Sequence, residues 1–265
     1  KFIFKKFFNF AIKSANIILN KITNKLRVKP AYIFTAGNIA GNITSLYSDD
    51  TKVIKSYSYD YDRYLELEET PINKNFQNSI IYIDQHLEGN YEFLLTGETV
   101  MTSKYIHWNS IKKFLDKLSK NLNKKIIIAA HPKRDKNEKN NFNFEMVYNQ
   151  TANLIKNSYM VVGHNSTAVS LVALFKKPFI CITTDELMKN AYFYFSIKKY
   201  SKELGVDLIN IDHFRDFSSY NFLKYNEKAY KNYIENYVKT SDVKSKNFWS
   251  DFVDYFENEN KLGIN

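Results

Sequence analysis

Short, uninterrupted apolar runs recur down the middle of the chain, at residues 80–83, 126–130, 160–162 and 179–183. A strand with one wet face alternates apolar and polar residues. A run that is apolar at every position has both faces covered, as in a parallel sheet between layers of helices. The segments between the runs supply those helices. Ile111, Phe114, Leu115, Leu118 and Leu122 fall on one face of a helix over 111–122, and further helices are expected over 151–156 and 167–175. The fold class that follows is α/β, a parallel sheet with helices on both sides.

A smaller unit precedes this series. After Pro30, residues 31–35 read as a short buried strand ending at Ala36-Gly37, and 53–59 as another. The polar stretch 66–78, with Pro71, separates the two units. The expected organisation is a partial N-terminal α/β domain over 1–75, a second α/β domain over 76–219, and closing helices over 220–265, rich in Tyr, Phe and Trp249. Over 2–28, Phe4, Phe7, Phe8, Ala11, Ile12 and Ala15 recur at helical spacing with lysines between them. Such a basic amphipathic helix, or pair of helices, either packs on its own domain or touches a membrane. Residues 134–143 read as a solvated loop of low complexity.

Composition narrows the class. With 265 residues, 44% of them hydrophobic, the chain can fill a real core. It has no run of about 18 apolar residues that would span a bilayer. Residues 1–20 lack a small-residue cleavage site, which argues against a signal peptide, and a start at Lys rather than Met suggests a missing N-terminal piece. The single cysteine, Cys181, rules out an internal disulfide and a cysteine-rich zinc site, and a cytoplasmic setting is expected. The net charge of +10 suits an anionic partner such as a nucleotide phosphate or an anionic membrane surface. The basic residues are spread out and never alternate with aromatics as in nucleic-acid modules, so nucleic acid is not expected.

In open α/β sheets ligands bind beyond the carboxyl ends of the strands. One run leads into His131-Pro132-Lys133-Arg134, an imidazole and two cations suited to phosphate. The next leads into Gly163-His164-Asn165-Ser166-Thr167, where Ser166 or Thr167 could cap a helix whose N-terminus attracts an anion. One βα unit apart, these two loops should be neighbours on one sheet edge. The 80–83 run ends in Asp84-Gln85-His86, which puts a carboxylate in reach of the same cleft as general base, nucleophile or plain cap. Asp185 and Glu186 either hold a ribose or base or start a helix. Gly37, Asp60, Asp62, Gln85 and His86 are candidates for an acceptor side. No spacing fixes two histidines on one element, so no metal site is expected, and there is no Gly-x-Ser-x-Gly elbow.

The ordered set Tyr59-Asp60-Tyr61-Asp62, Tyr82-Ile83-Asp84-Gln85, Ala130-His131-Pro132-Lys133, Thr151 to Ser158, His164-Asn165-Ser166-Thr167 and Thr183-Thr184-Asp185-Glu186-Leu187 resembles bacterial surface-carbohydrate biosynthesis proteins of GT-B glycosyltransferase type. The His-Pro and Ser-Thr pairs are similar to motifs of bacterial sialyltransferases and retaining Kdo transferases. The resemblance implies two Rossmann-like domains with parallel sheets, the N-terminal one here small or truncated. It implies transfer of an acidic sugar, Kdo or sialic-acid-like, from a CMP-activated donor to a lipopolysaccharide or capsule acceptor, without a metal or other cofactor. His131, Ser166 and Thr167 would hold the nucleotide phosphate, with Pro132, Lys133, Arg134, His164 and Asn165 around it, and Asp84 would be the catalytic carboxylate. The implied partners are a nucleotide sugar, a glycan or lipid-linked glycan acceptor and the anionic inner membrane. A polyol-phosphate transferase of the CDP-glycerol type and a non-catalytic nucleotide-binding or assembly protein are the alternatives.

Overall fold

The computed structural model of the protein describes residues 29–39, 47–89, 101–136, 143–218, 222–243 and 248–261. The helix expected over 2–28 lies outside the described residues, as do 137–142 of the expected loop. The described elements run β1 (Tyr32–Ala36), β2 (Lys52–Ser56), α1 (Tyr59–Glu68), β3 (Ser79–Ile83), α2 (Lys104–Leu122), β4 (Lys125–Ala130), β5 (Glu145–Tyr148), α3 (Thr151–Asn157) and β6 (Met160–Gly163). They continue with α4 (Val169–Leu174), β7 (Phe179–Thr183), α5 (Asp185–Met188), α6 (Ala191–Leu204), β8 (Leu208–Asn210), α7 (Glu227–Tyr237) and α8 (Phe248–Lys261).

The protein is α/β with two parallel sheets, the N-terminal one small. β1 and β2 pair in parallel, and the larger sheet has the order β5-β4-β3-β6-β7-β8 with every pairing parallel. The chain steps outward from β3 to β5 and then returns to the other side of β3, the doubly wound order whose switch point, here between β3 and β6, opens a crevice beyond the carboxyl ends.

The apolar runs are buried on both faces, as their lack of alternation requires. Ile80, Tyr82, Ile126, Ile128 and Met160 pack with Trp108, Ile111, Phe114, Leu115 and Leu118 of α2. On the opposite face Ile83, Val161 and Cys181 pack with Val169, Val172 and Ile197, while Ile81 and Ile127 pack with Leu154 of α3. Helix ends are set by local chemistry. The Ser103 hydroxyl accepts the Ile106 N–H, so α2 begins before the expected 111, and Asn190 and Asn226 cap α6 and α7 in the same way.

Other differences from the sequence reading have physical reasons. The strand expected over 53–59 stops at Ser56, and α1 occupies part of the polar stretch assigned to a linker, because Tyr61 and Tyr64 pack its inner face against the core. At the far end of α1, the Lys156 ammonium of α3 donates to the Leu67 and Thr70 carbonyls, a cation at a helix C-terminus. The edge strand β5, the helix α6 and the strand β8 were not expected. The two closing helices divide their work. α7 packs on α4 and α6, and α8 returns to the small sheet, where Phe252 lies 5.0 Å from Phe34 and Phe256 4.9 Å from Tyr32 between ring centroids. Among the described residues no helix is long and apolar enough to cross a membrane.

Candidate functional site

Beyond the carboxyl ends of β3, β4 and β6 lies a cleft of about 1150 Å³, walled on its far side by α1 and the segment to Asn73. The sheet side is made by the loops that follow the strands: Asp84, Gln85 and Leu87 after β3, His131 and Pro132 after β4, and Asn165, Ser166 and Thr167 after β6. The loops after β4 and β6, expected as direct neighbours, line one cleft from either side of the β3 loop, because β3 stands between their strands.

Asp84 sits where an anion would be held in a fold of this kind, and it is itself the anion. Its carboxylate accepts the backbone N–H of His86 (2.9 Å) and of His131 (3.1 Å), Nε of Arg134 (2.6 Å) and Nη2 of Arg134 (3.0 Å). Four donors fill the acceptor capacity of one carboxylate. Burial by itself would raise the Asp84 pKa, but the Arg134 guanidinium and the two N–H donors outweigh it and hold the carboxyl below its ordinary value. Arg134 is correspondingly locked: Nη2 also donates to Glu88 (2.7 Å), and the guanidinium lies 5.1 Å from the Trp108 ring. Only 3% of the Arg134 side chain and none of the Asp84 side chain is exposed. The cation expected in a solvated loop and offered to phosphate is thus spent inside the protein. The carboxylate expected as base or nucleophile ties the β3 and β4 loops together.

A second buried network lies behind this one. Nδ1 of His164 is 2.8 Å from the Ile182 carbonyl, which can only accept, so Nδ1 carries the hydrogen and Nε2 is the acceptor. The Tyr82 hydroxyl, 3.3 Å from that Nε2, donates to it, which leaves its oxygen to accept from Nε2 of His107 at 3.4 Å. Nδ1 of His107 has no hydrogen-bond partner. Burial holds both rings neutral, His107 below its ordinary pKa and His164 down to about 3. The His164 ring, expected beside a phosphate, is fully buried and fastens β3 to β6 and β7.

The cleft surface is mixed, with polar groups at the loops set among apolar residues such as Ile83, Leu87 and Phe193. His131 accepts the Lys133 N–H on Nδ1 (3.2 Å), so in the neutral ring Nε2 is the donor. Ser166 and Thr167 line the turn after β6, but they precede α4 instead of capping it. The helix starts at Val169 and Ala168 occupies its cap, while the Ser166 hydroxyl accepts the Ala168 N–H at 3.3 Å. With six residues, α4 offers little dipole, so the hydroxyls and turn amides are what this loop can present to an anion. The carbonyl oxygens of the Gln85 and Asn165 side chains, both in the lining, are buried with no hydrogen-bond partner. Asp60, on the first turn of α1, faces the cleft, and burial raises its pKa, offset in part by a hydrogen bond from Ser170.

The remaining sequence candidates lie off the lining. Lys133 is exposed beside the His131 turn. His86 has a left-handed backbone (φ 52°) and its ring packs over Gly89, where a Cβ would stand 2.5 Å from Nε2. Asp62 is buried and accepts the Phe248 N–H at 3.1 Å, anchoring α8. Gly37 has φ +66° and faces the end of α7, where a Cβ would come within 2.4 Å of the Asn236 backbone. Asp185 takes the Asn210 amide (2.7 Å) and Nε2 of His213 (3.0 Å) at the β7–β8 edge, and Glu186 accepts from the Thr102 hydroxyl. Several lining residues were missed: Arg63, Thr70 and Asn73 on the α1 side, and Gln150, Thr151 and Asn153 at the start of α3. For the α3 group a signal existed, a polar cluster directly after a strand at the same sheet edge. It went unread because β5 itself was not recognised.

No protein-family model matches the chain, and no curated protein matches it by sequence. Among solved structures it is similar to a UDP-GlcNAc 2-epimerase of Methanocaldococcus jannaschii, in complex with UDP-GlcNAc and UDP, at 16% identity and a TM-score of 0.45, over 86% of this chain and 61% of that one. It is also similar to MurG of Acinetobacter baumannii at 11% identity and a TM-score of 0.36, over 86% of this chain and 60% of that one. The chain spans about three fifths of the length of either structure.

Proposed function

We propose that the chain is a glycosyltransferase that binds a nucleotide sugar across the carboxyl edge of the larger sheet and passes the sugar to a hydroxyl of a glycan or lipid-linked glycan. The observation that carries this is the pair of buried, unpartnered amide oxygens, Gln85 Oε1 and Asn165 Oδ1, in the lining of the switch-point cleft. A buried acceptor left without a donor costs about 1–3 kcal/mol, so a native site keeps it for a ligand that brings one. Sugar and ribose hydroxyls bring donors. On the same lining, the His131 ring with the Ser166 and Thr167 hydroxyls suits the nucleotide phosphates, whose charge these groups meet as the bond to the sugar breaks.

The motif resemblance supports a CMP-linked acidic sugar as donor and transfer without a metal. Arg63, on the α1 wall and ion-paired with Glu66 at 2.6 Å, is the lining cation that a sugar carboxylate would draw from that pair. A lipid-linked acceptor would draw the protein, at a net charge of +10, to an anionic membrane face. Calorimetric titration of CMP, CDP and UDP, with and without EDTA, tests these points. Binding of CMP in the low micromolar to millimolar range, unchanged by EDTA, is expected. Preference for UDP would overturn the CMP assignment, and silence from all three would overturn nucleotide-sugar transfer itself.

A further inference from the structure

Behind Asp60 and Thr167, which line the cleft, a second chamber of about 300 Å³ opens between α1, α4, α6 and α7 and shares both residues with it. Its wall is aromatic. The Tyr200 and Tyr233 rings are 6.3 Å apart between centroids and tilted 54°, and Tyr233 and Tyr237 are 5.2 Å apart and tilted 43°. Its rim is polar: the Lys199 ammonium stands 5.4 Å from the Tyr237 ring centroid, and the Tyr237 hydroxyl donates to Glu203 at 3.2 Å. The Ser58 hydroxyl, also in the lining, is buried with no hydrogen-bond partner. The volume is at the lower end for small-molecule sites, enough for one sugar ring.

We propose that this chamber is the acceptor subsite, that it takes a neutral sugar ring stacked on the tyrosines, and that Asp60, on the boundary between chamber and cleft, accepts the proton of the attacking hydroxyl; this rests on the glycosyltransferase reading above. The chemistry of the chamber selects the ligand. Tyrosine faces suit the C–H face of a pyranose, and Ser58 and the charged rim suit its hydroxyls. Asp60 and Glu203 set against Lys199 leave the chamber net negative, which disfavours an anionic acceptor. In the transfer step the acceptor oxygen forms a bond to the anomeric carbon and its proton passes to the Asp60 carboxylate. The bond from the anomeric carbon to the phosphate oxygen breaks, and its electron pair leaves with the nucleotide. Asp84 cannot serve here, since its four acceptor positions are filled. Burial raises the Asp60 pKa, which makes its carboxylate a stronger base than an exposed one.

Saturation-transfer NMR with the methyl glycosides of glucose, galactose and N-acetylglucosamine tests the subsite, alongside nucleotide calorimetry on the same samples. Saturation of at least one glycoside is expected. The Tyr237→Ala variant, at a half-buried wall position, should weaken it about tenfold, the factor that ~1.4 kcal/mol corresponds to, and leave nucleotide affinity unchanged. With the nucleotide sugar that binds, Asp60→Asn should still bind the glycoside but form the disaccharide at least ~100-fold more slowly by mass spectrometry. Melting by circular dichroism establishes that both variants are folded. Nucleotide binding with no glycoside saturated, or a glycoside held equally well by Tyr237→Ala, overturns the subsite. Undiminished transfer by Asp60→Asn overturns the role of Asp60. Failure of every nucleotide to bind instead brings down the transferase reading on which the subsite rests.

Discussion

Asp84 and Arg134 form a buried pair whose removal is costly from either side, because the guanidinium left behind keeps only Glu88 and the carboxylate left behind keeps only two backbone N–H donors. Asp84→Ala leaves the Arg134 guanidinium with Glu88 alone and frees two backbone N–H groups, and it should lower unfolding free energy by about 3 kcal/mol in a urea titration. A loss below ~1 kcal/mol would show that the pair is not formed in solution. In a pH response shared with His107, His164 is the larger part. Its folded pKa, about 3, lies below the unfolded value near 6.5, so below pH 6.5 the unfolded chain binds a proton that the folded ring refuses. The His164 contribution is therefore whole above pH 6.5 and falls by about 1.4 kcal/mol for each pH unit below it, down to about 3, and His107, also held below its ordinary value by burial, adds to the decline. Denaturant midpoints measured from pH 7.5 to 4.5 should decline from 6.5 downward in the native protein and more shallowly in His164→Gln. In the sequence, Lys133 and Arg134 are two equivalent cations, and Asp84 and Asp60 two equivalent carboxylates. What separates them is the partner within 3 Å, which for Arg134 is 50 residues away in the chain and leaves no trace in local pattern.

Elements were legible where burial on both faces left an unbroken apolar run. β3, β4, β6 and β7 were found within a residue or two of their ends for that reason, and α2 through the single stripe it turns to the sheet. β5 escaped because it is an edge strand of four residues, Glu145 to Tyr148, none of them fully buried, whose short run Met146 to Tyr148 adjoins a polar loop. α6 escaped because Tyr192 and Phe195 stand exposed on its outer face and blur its period, and α1 because its inner contacts are tyrosines in an otherwise polar sequence. The cleft inherits this pattern: the loops after β3, β4 and β6 were read, the start of α3 was not, and on α1 only Asp60 was. α1 is held at its far end by one ammonium on the carbonyls of residues 67 and 70. Lys156→Met keeps the aliphatic stem and removes that charge, so the last turn of α1 should exchange its amides at least ~5-fold faster, as about 1 kcal/mol of local protection is lost. Hydrogen–deuterium exchange followed by mass spectrometry reads this directly, and unchanged exchange over 63–70 would mean that α1 is held by its tyrosines alone.

At the scale of the whole molecule, the chain crosses between its two sheets twice. α1 leaves the small sheet and packs on α3 and α4 of the large one, and α8 leaves α7 and packs back on Tyr32 and Phe34, with Asp62 of α1 accepting its first N–H. The cleft lies under the first crossing, so a ligand that touches both walls couples α1 to the β3, β4 and β6 loops. A ligand that binds only the folded protein adds RT ln(1 + [L]/Kd), about 2.7 kcal/mol at a hundredfold excess over Kd, and for a chain of this size each kcal/mol raises the midpoint by about 2–4 °C. The bound nucleotide sugar should therefore raise Tm by about 5–10 °C and slow amide exchange together in α1 and in residues 165–168. The nucleotide alone, confined to the sheet side by His131, Ser166 and Thr167, should protect 165–168 and leave α1 close to its free rate. Equal protection of α1 by nucleotide and nucleotide sugar would place the sugar outside the space between the walls, and protection of neither segment would place the ligand elsewhere on the molecule.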